Sequence, residues 1–179
     1  MPRWLDAGRL RGIALDRRGA RALHDAVRHR GLRWALTLAS RLGDAPMWIV
    51  LLLVMPLLDP VDGTTVAQRM LMLGSVNYLV YASLKRATRR QRPFEQCAGI
   101  CAGLPPPDAF SFPSGHTLHA VAFGVLLSAF YPALAPLLGV FALAVGMSRV
   151  VLGLHYPSDV LIGAGLGIAT ASLLLYLGA

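Results

Sequence analysis

The chain has 179 residues, 55% of them hydrophobic and only 15% charged, with a net charge of +8 and a positive mean hydropathy. That is the length of one domain, with more apolar residues and less charge than a water-soluble domain usually carries, which weighs against an ordinary soluble fold. The apolar residues also come in blocks rather than scattered, so burial in a bilayer accounts for them.

Residues 1–41 hold ten arginines interleaved with Trp4, Leu5, Leu10, Ile13, Leu23, Trp34 and Leu36. This pattern predicts an amphipathic helix on a membrane surface, with arginines toward anionic headgroups and tryptophans at the interface. A nucleic-acid arm is the competing reading of a basic stretch, and the interleaved apolar residues weigh against it. No cleavable signal peptide is expected, because the arginine-rich start lacks a long apolar run.

The first apolar segment, Ala45 to Leu58, is short for a span, which takes roughly 20 residues. A polar turn from Asp59 to Gly63 separates it from a second segment, Val66 to Leu84. From Thr117 to Met147 the chain is almost wholly apolar, and the breaks at Tyr131-Pro132 and Pro136 predict two helices joined by a tight turn. The last segment, Val160 to Ala179, carries no charge. The expected fold is an all-α integral membrane bundle of about five transmembrane helices plus an interfacial N-terminal helix. It forms one domain over 1–179, with 1–41 as the basic interfacial segment and 42–179 as the helical core.

Segments separated by an even number of crossings emerge on the same membrane face. By that count the stretch from Lys85 to His116 and the stretch from Ser148 to Asp159 meet at one surface, and they hold most of the residues able to do chemistry. Lys85 and Arg92 are seven apart, so a continuous helix would project both from one side, ended by Pro93. Two such cations can hold a phosphate dianion, or they can belong to a solvated headgroup-binding cluster with Arg86, Arg89 and Arg90.

Ser114 is a good N-cap residue for the apolar helix that follows it. Free amides there, with Gly115 allowing close approach, make an anion cradle supported by the helix dipole. His116 in the first turn can donate a proton to an oxygen bound in that cradle; the plainer alternative is a capping loop with an interfacial histidine. His119 is expected to bond within the bundle. Pro157 suits the first position of the last helix, which leaves His155 just outside it and Asp159 in its first turn. A carboxylate there can turn back to one imidazole nitrogen and make the other a better nucleophile. Arg149 adds a second fork of donors for phosphate oxygens. The alternative is that Asp159 only caps its helix and pairs with Arg149.

Lys85-x6-Arg92-Pro93, Pro113-Ser114-Gly115-His116 and Ser148-Arg149-x5-His155-x3-Asp159 together resemble the three-part signature of the type-2 phosphatidic acid phosphatase superfamily, which includes lipid phosphate phosphatases and vanadium haloperoxidases. The order, residue types and spacings agree at every signature position, and the chain is similar in length to the short bacterial membrane members. The resemblance implies a metal-independent lipid phosphatase that needs no cofactor and works through a phosphohistidine intermediate. His155 would be the nucleophile, Asp159 its orienting carboxylate and His116 the general acid. Lys85, Arg92, Ser114, Gly115 and Arg149 would bind phosphate. The carboxylates show no metal-ligand spacing.

The short bacterial relatives suggest undecaprenyl diphosphate as substrate, with phosphatidylglycerophosphate, phosphatidic acid and lipid A phosphates as alternatives. A vanadate-dependent haloperoxidase and a non-catalytic lipid-binding protein are the readings from other classes. The expected partners are the lipid phosphate and a bilayer with anionic lipids, with no nucleic acid. Of the 17 basic residues, all but Arg69 fall on the motif side, which by the positive-inside rule favours a cytoplasmic site. The family's bacterial members favour the outer face of the cytoplasmic membrane instead. Cys97 and Cys101 in the site loop could form a disulfide there or remain free thiols on adjacent turns.

Overall fold

The computed structural model describes residues 3–27 and 29–178, with side chains from residue 11 onward. The side chains of Trp4, Leu5 and Leu10, and the terminal Ala179, lie outside the described residues. The chain is all-helical, without a strand among the described residues: α1 (Arg3–Ala26), α2 (Arg30–Leu42), α3 (Ala45–Leu58), α4 (Gly63–Thr88), α5 (Pro93–Gln96), α6 (Gly115–Phe130), α7 (Ala135–Val151) and α8 (Pro157–Leu177). A short 3-10 turn at Pro132–Leu134 joins α6 to α7. It falls where the prolines were expected to break the long apolar run.

Each of the five predicted apolar segments is a helix. By length and composition two stretches can cross a membrane, 132–151 and 157–177, or three if α2 and α3, bent by 55° at Gly43-Asp44, act as one broken span. That pairing corrects the reading of 1–41 as a single interfacial helix. The chain breaks after Ala26, and α2 packs along α7 as part of the bundle. Its buried Ser40 reaches Arg149 in the core. Only α1 stays outside, laid across the ends of α7 and α8.

The core lies around α6, which packs against α4, α7 and α8. Trp48 and Met55 of α3, Met70 and Leu73 of α4, and Phe123 and Leu126 of α6 form its buried centre. Glycines bring α8 against α6. A Cβ on Gly163 would sit 2.7 Å from the Ser114 carbonyl oxygen, and one on Gly167 would sit 2.6 Å from that of Leu118. This i, i+4 pair of small residues lets two backbones meet where lipid offers no hydrophobic driving force between helices. Outward, the bundle shows Leu53, Leu57, Leu79, Leu137, Leu143 and Leu161, each more than half exposed. Such a belt fits a hydrocarbon solvent.

Polar contacts mark the two ends of the bundle. At one, Tyr131 donates to Asp59 at 2.8 Å and Arg69 donates to the Gly178 carbonyl. The other gathers the end of α4, the starts of α6 and α8, the end of α7 and the α2–α3 bend, with α1 across it.

Candidate active site

Lys85, on the last turn of α4, is nearly buried and donates to Asp108 at 2.9 Å and to the Phe110 carbonyl at 2.6 Å. Arg92 lies beside it, but not by helical spacing. α4 ends at Thr88, Arg89 takes a left-handed conformation (φ 47°, ψ 35°), and residues 89–92 run on without helix. Pro93 does not end a helix as expected but starts one, α5, with Arg92 extended before it. The physical reason is local: proline disfavours helical backbone in the residue preceding it and suits the first position of the next helix. The fully buried Arg92 donates to Asp108 Oδ1 at 2.8 Å and to the Leu154 carbonyl at 2.8 Å, with Nη1 3.4 Å from His155 Nε2. Burial lowers the Arg92 pKa, and Asp108 opposes that shift.

Asp108 was not singled out from the sequence. Its carboxylate bridges Lys85 and Arg92. Burial alone would raise its pKa, but the two cations hold it below the ordinary carboxylate value.

Ser114 caps α6 as expected, accepting from the Thr117 amide at 3.5 Å and meeting the Thr117 hydroxyl at 2.9 Å. Its hydroxyl is thus turned to the helix rather than toward a ligand. The first backbone bond of this turn runs from the Leu118 amide to the Ser114 carbonyl, so the Gly115 and His116 amides precede it and remain available as donors. Gly115 and His116 both line the cavity. His116 Nε2 lies 2.5 Å from Asp44 Oδ1. Asp44 was also missed: it stands at the N-cap of α3 yet makes no capping bond there, because its carboxylate goes to a histidine 72 residues away. His119 bonds the Gly115 carbonyl at 2.9 Å and stacks edge-on to Tyr81, within the bundle.

Arg149, almost fully buried at the end of α7, donates Nη1 to Ser40 at 2.6 Å. Its Nε and Nη2 have no partner. Two buried guanidinium donors left open are costly unless an anion takes them. His155 follows on a turn whose Gly153 has φ +72°, and where a Cβ would clash with Ile100 and Cys101 at 2.6 and 2.9 Å. His155 is fully buried; burial first, then the positive charges of Arg149 and Arg92, push its pKa well below the ordinary 6.5, which keeps the ring neutral. Its Nε2 faces Arg92. Its Nδ1 faces Asp159 Oδ2 at 3.5 Å, too long for a formed hydrogen bond. Asp159 does cap its own helix, accepting from the Tyr156 amide at 2.8 Å, but its cation is Arg90 at 2.7 Å rather than Arg149.

The loop from Cys97 to Pro113 has no helix, so Cys97 and Cys101 are not on adjacent turns. Both are free, Cys97 buried and Cys101 exposed.

Lys85, Asp108, His116, Arg149 and His155 line one cavity of about 1190 Å3. It continues as an apolar groove between Ile49 and Leu52 of α3 and Leu71 and Leu79 of α4. The site is a helical bundle's buried cations and two histidines gathered at one end of a cavity with an apolar wall. The chain belongs to the PAP2 superfamily, whose family model matches residues 66–179.

It is 34% identical over 98 residues to decaprenylphosphoryl-5-phosphoribose phosphatase of Mycobacterium tuberculosis, a match covering 55% of this chain and 53% of that protein. The chain thus spans about half the length of the curated relatives it matches. A PAP2-type phosphatidylglycerolphosphate phosphatase from Bacillus subtilis has the same architecture, with a TM-score of 0.73 and 27% identity over 92% of this chain and 85% of that one. LpxE of Aquifex aeolicus shares the fold at a TM-score of 0.79 and 24% identity, covering 88% of this chain and 92% of that one.

Proposed function

We propose that this protein is a membrane lipid phosphatase that cleaves the terminal phosphate of a lipid phosphomonoester or diphosphate, with undecaprenyl diphosphate as its substrate. The observation that carries this reading is the continuity of the cavity, from neutral His155 and the open donors of Arg149 into a groove walled by α3 and α4. A phosphate seated at the first places a lipid tail in the second. The named activity of the Mycobacterium tuberculosis relative, on a decaprenyl-linked phosphate, supports a polyprenyl tail.

In the first step His155 Nε2 attacks phosphorus, the P–O bond to the leaving group breaks, and His116 gives that oxygen a proton. Asp44 accepts from His116 Nε2–H and supports the imidazolium, whose Nδ1–H is the proton given to the leaving oxygen. Arg149, with Lys85, Arg92 and the first-turn amides of α6, meets the charge that builds on the equatorial oxygens. Water then attacks the phosphohistidine, giving its proton back to His116 and releasing phosphate. Asp159 keeps the His155 ring oriented and balances the positive charge the ring gains in the intermediate.

The test is phosphate release by purified protein in detergent with EDTA, across undecaprenyl diphosphate, phosphatidylglycerophosphate, phosphatidic acid and a lipid A phosphate. Undecaprenyl diphosphate is expected to give the highest kcat/KM, and His155→Ala to abolish turnover. Preference for another lipid overturns the substrate; full activity of His155→Ala overturns the scheme.

In this reading five helices cross the cytoplasmic membrane and the site opens on its outer side. Exposed Cys101 reports on that face: a membrane-impermeant maleimide should label it in intact cells. Labelling only after permeabilisation puts the site inside.

A further inference from the structure

The carboxylate behind His155 is itself held from behind. Asp159 is fully buried, and its Oδ1 accepts Arg90 Nη1 at 2.7 Å. The same Arg90 nitrogen meets the Ser158 hydroxyl at 2.7 Å, and Nη2 reaches Asp16 Oδ2 at 2.5 Å. Asp16 closes the ring from α1. Its Oδ1 accepts from the Ser158 backbone amide at 3.0 Å, and its Oδ2 accepts from the Ser158 hydroxyl. The Arg90 guanidinium carbon also lies over the Tyr156 ring, 4.1 Å from its centroid. Asp16 thereby caps α8 from another helix, placing a negative charge at an N-terminus where it is favourable.

Two features fix α1 in that register. Gly19 lets Pro157 come so near that a Cβ would sit 3.1 Å from its ring, and Ala20 is fully buried beside Cys97 and Tyr156. A buried carboxylate needs a counter-charge, and the neutral His155 does not supply one. Arg90 does, and its planar fork occupies Oδ1 while Oδ2 faces the imidazole. Arg90 itself is partly exposed, on a long side chain with other rotamers open to it, and Asp16 is what restrains it.

We infer that Asp16 and Arg90 are positioning residues for the reaction, by which the surface helix α1 holds Arg90 on Asp159 so that the carboxylate stays charged and aimed at His155. Asp16 lies outside the stretch that matches the family, 66–179, and Arg90 falls between the signature residues Lys85 and Arg92. The inference rests on the reading of His155 as nucleophile.

The experiment uses full-length protein in detergent and dioctanoyl phosphatidic acid as probe, comparing wild type with Asp16→Asn, Asp16→Glu, Arg90→Lys, Arg90→Gln and the pair Asp16→Asn/Arg90→Gln. Misplacement of a catalytic group from outside the reacting atoms lowers kcat by about ten- to a hundredfold. Asp16→Asn and Arg90→Gln should therefore lose kcat in that range with KM within about twofold, because the phosphate-binding cations are untouched. Asp16→Glu should recover most of the loss, whereas Arg90→Lys should not, since an ammonium cannot span two carboxylates as a fork does.

The double variant should be no worse than Arg90→Gln alone, as expected of residues acting in one chain of contacts. Additive losses, a rise in KM at unchanged kcat, or a kcat of Asp16→Asn within twofold of wild type overturns the inference. Should Asp16→Asn fail to fold, Asp16→Ser, which keeps a short acceptor for the Ser158 amide but removes the charge that restrains Arg90, is read in its place against the same limits. A wild type that releases no phosphate from this probe or from any of the four lipids named under the proposed function instead overturns the phosphatase reading. An active wild type with inactive His155→Ala and unaffected Asp16 and Arg90 variants overturns the inference alone.

Discussion

Arg149→Lys is the sharpest test of the phosphate site. Arg149 is 2% exposed, and one of its terminal nitrogens is fixed by Ser40 while Nε and Nη2 face no acceptor. Two charge-assisted hydrogen bonds to a transferring phosphoryl group contribute about 1.5–3 kcal/mol each. Lysine keeps the charge but presents one compact ammonium in place of the fork, so it forfeits about one of the two bonds. At 1.4 kcal/mol per factor of ten, kcat/KM should fall by about 10- to 150-fold.

Ser40→Ala loosens the fork without removing it, and should fall between wild type and Arg149→Lys. The assay is initial-rate phosphate release from micellar lipid phosphate, with thermal unfolding as a check that each variant is folded. A folded Arg149→Lys enzyme within about threefold of wild type, well short of one charge-assisted bond, would show that the open donors of Arg149 do not hold the reacting phosphate.

Asp44→Asn should lower kcat by about three- to tenfold, a modest loss because the Asp44 side chain is 44% exposed and solvent weakens its hold on His116. Thermal stability should stay level, since Asp44 makes no capping bond that α3 could lose; unchanged kcat refutes the pairing as functional. A pH prediction follows from His155, whose folded pKa lies well below the ordinary 6.5. Below 6.5 the unfolded chain takes up a proton that native His155 refuses, so its contribution is complete above 6.5 and is lost as pH falls toward the folded value. The difference in Tm between wild type and His155→Gln should therefore shift in favour of the variant between pH 7.5 and 5; a pH-independent difference counts against a buried neutral ring.

Local features were the legible ones. Ala45–Leu58 forms as read because Asp44 and Asp59-Pro60 punctuate an unbroken apolar run, and the cap at Ser114 and the proline at 157 carry their own short-range signals. The placement of Arg92 was not legible as spacing. A left-handed Arg89 turns the chain between two residues that a continuous helix would have aligned anyway, so the right neighbours arise by a different path.

The carboxylates were least visible. Asp16, Asp44 and Asp108 have nothing in their flanking residues to mark them, and their partners lie 142, 72 and 23 residues away. Asp44 occupies a helix-cap position, yet it makes no capping bond there. The break after Ala26 likewise had no proline or glycine pair to announce it.

Asp108, seated between Lys85 and Arg92, means that two cations of the resting site are already paired, while Arg149 keeps its open donors. An anion that reaches Lys85 and Arg92 has to take the place of a carboxylate already bound there. A phosphodiester headgroup, with a single charge, does no better than an even exchange. In the proposed reading, a phosphomonoester or terminal diphosphate brings more charge than it displaces, which would favour it over a singly charged headgroup at these two cations.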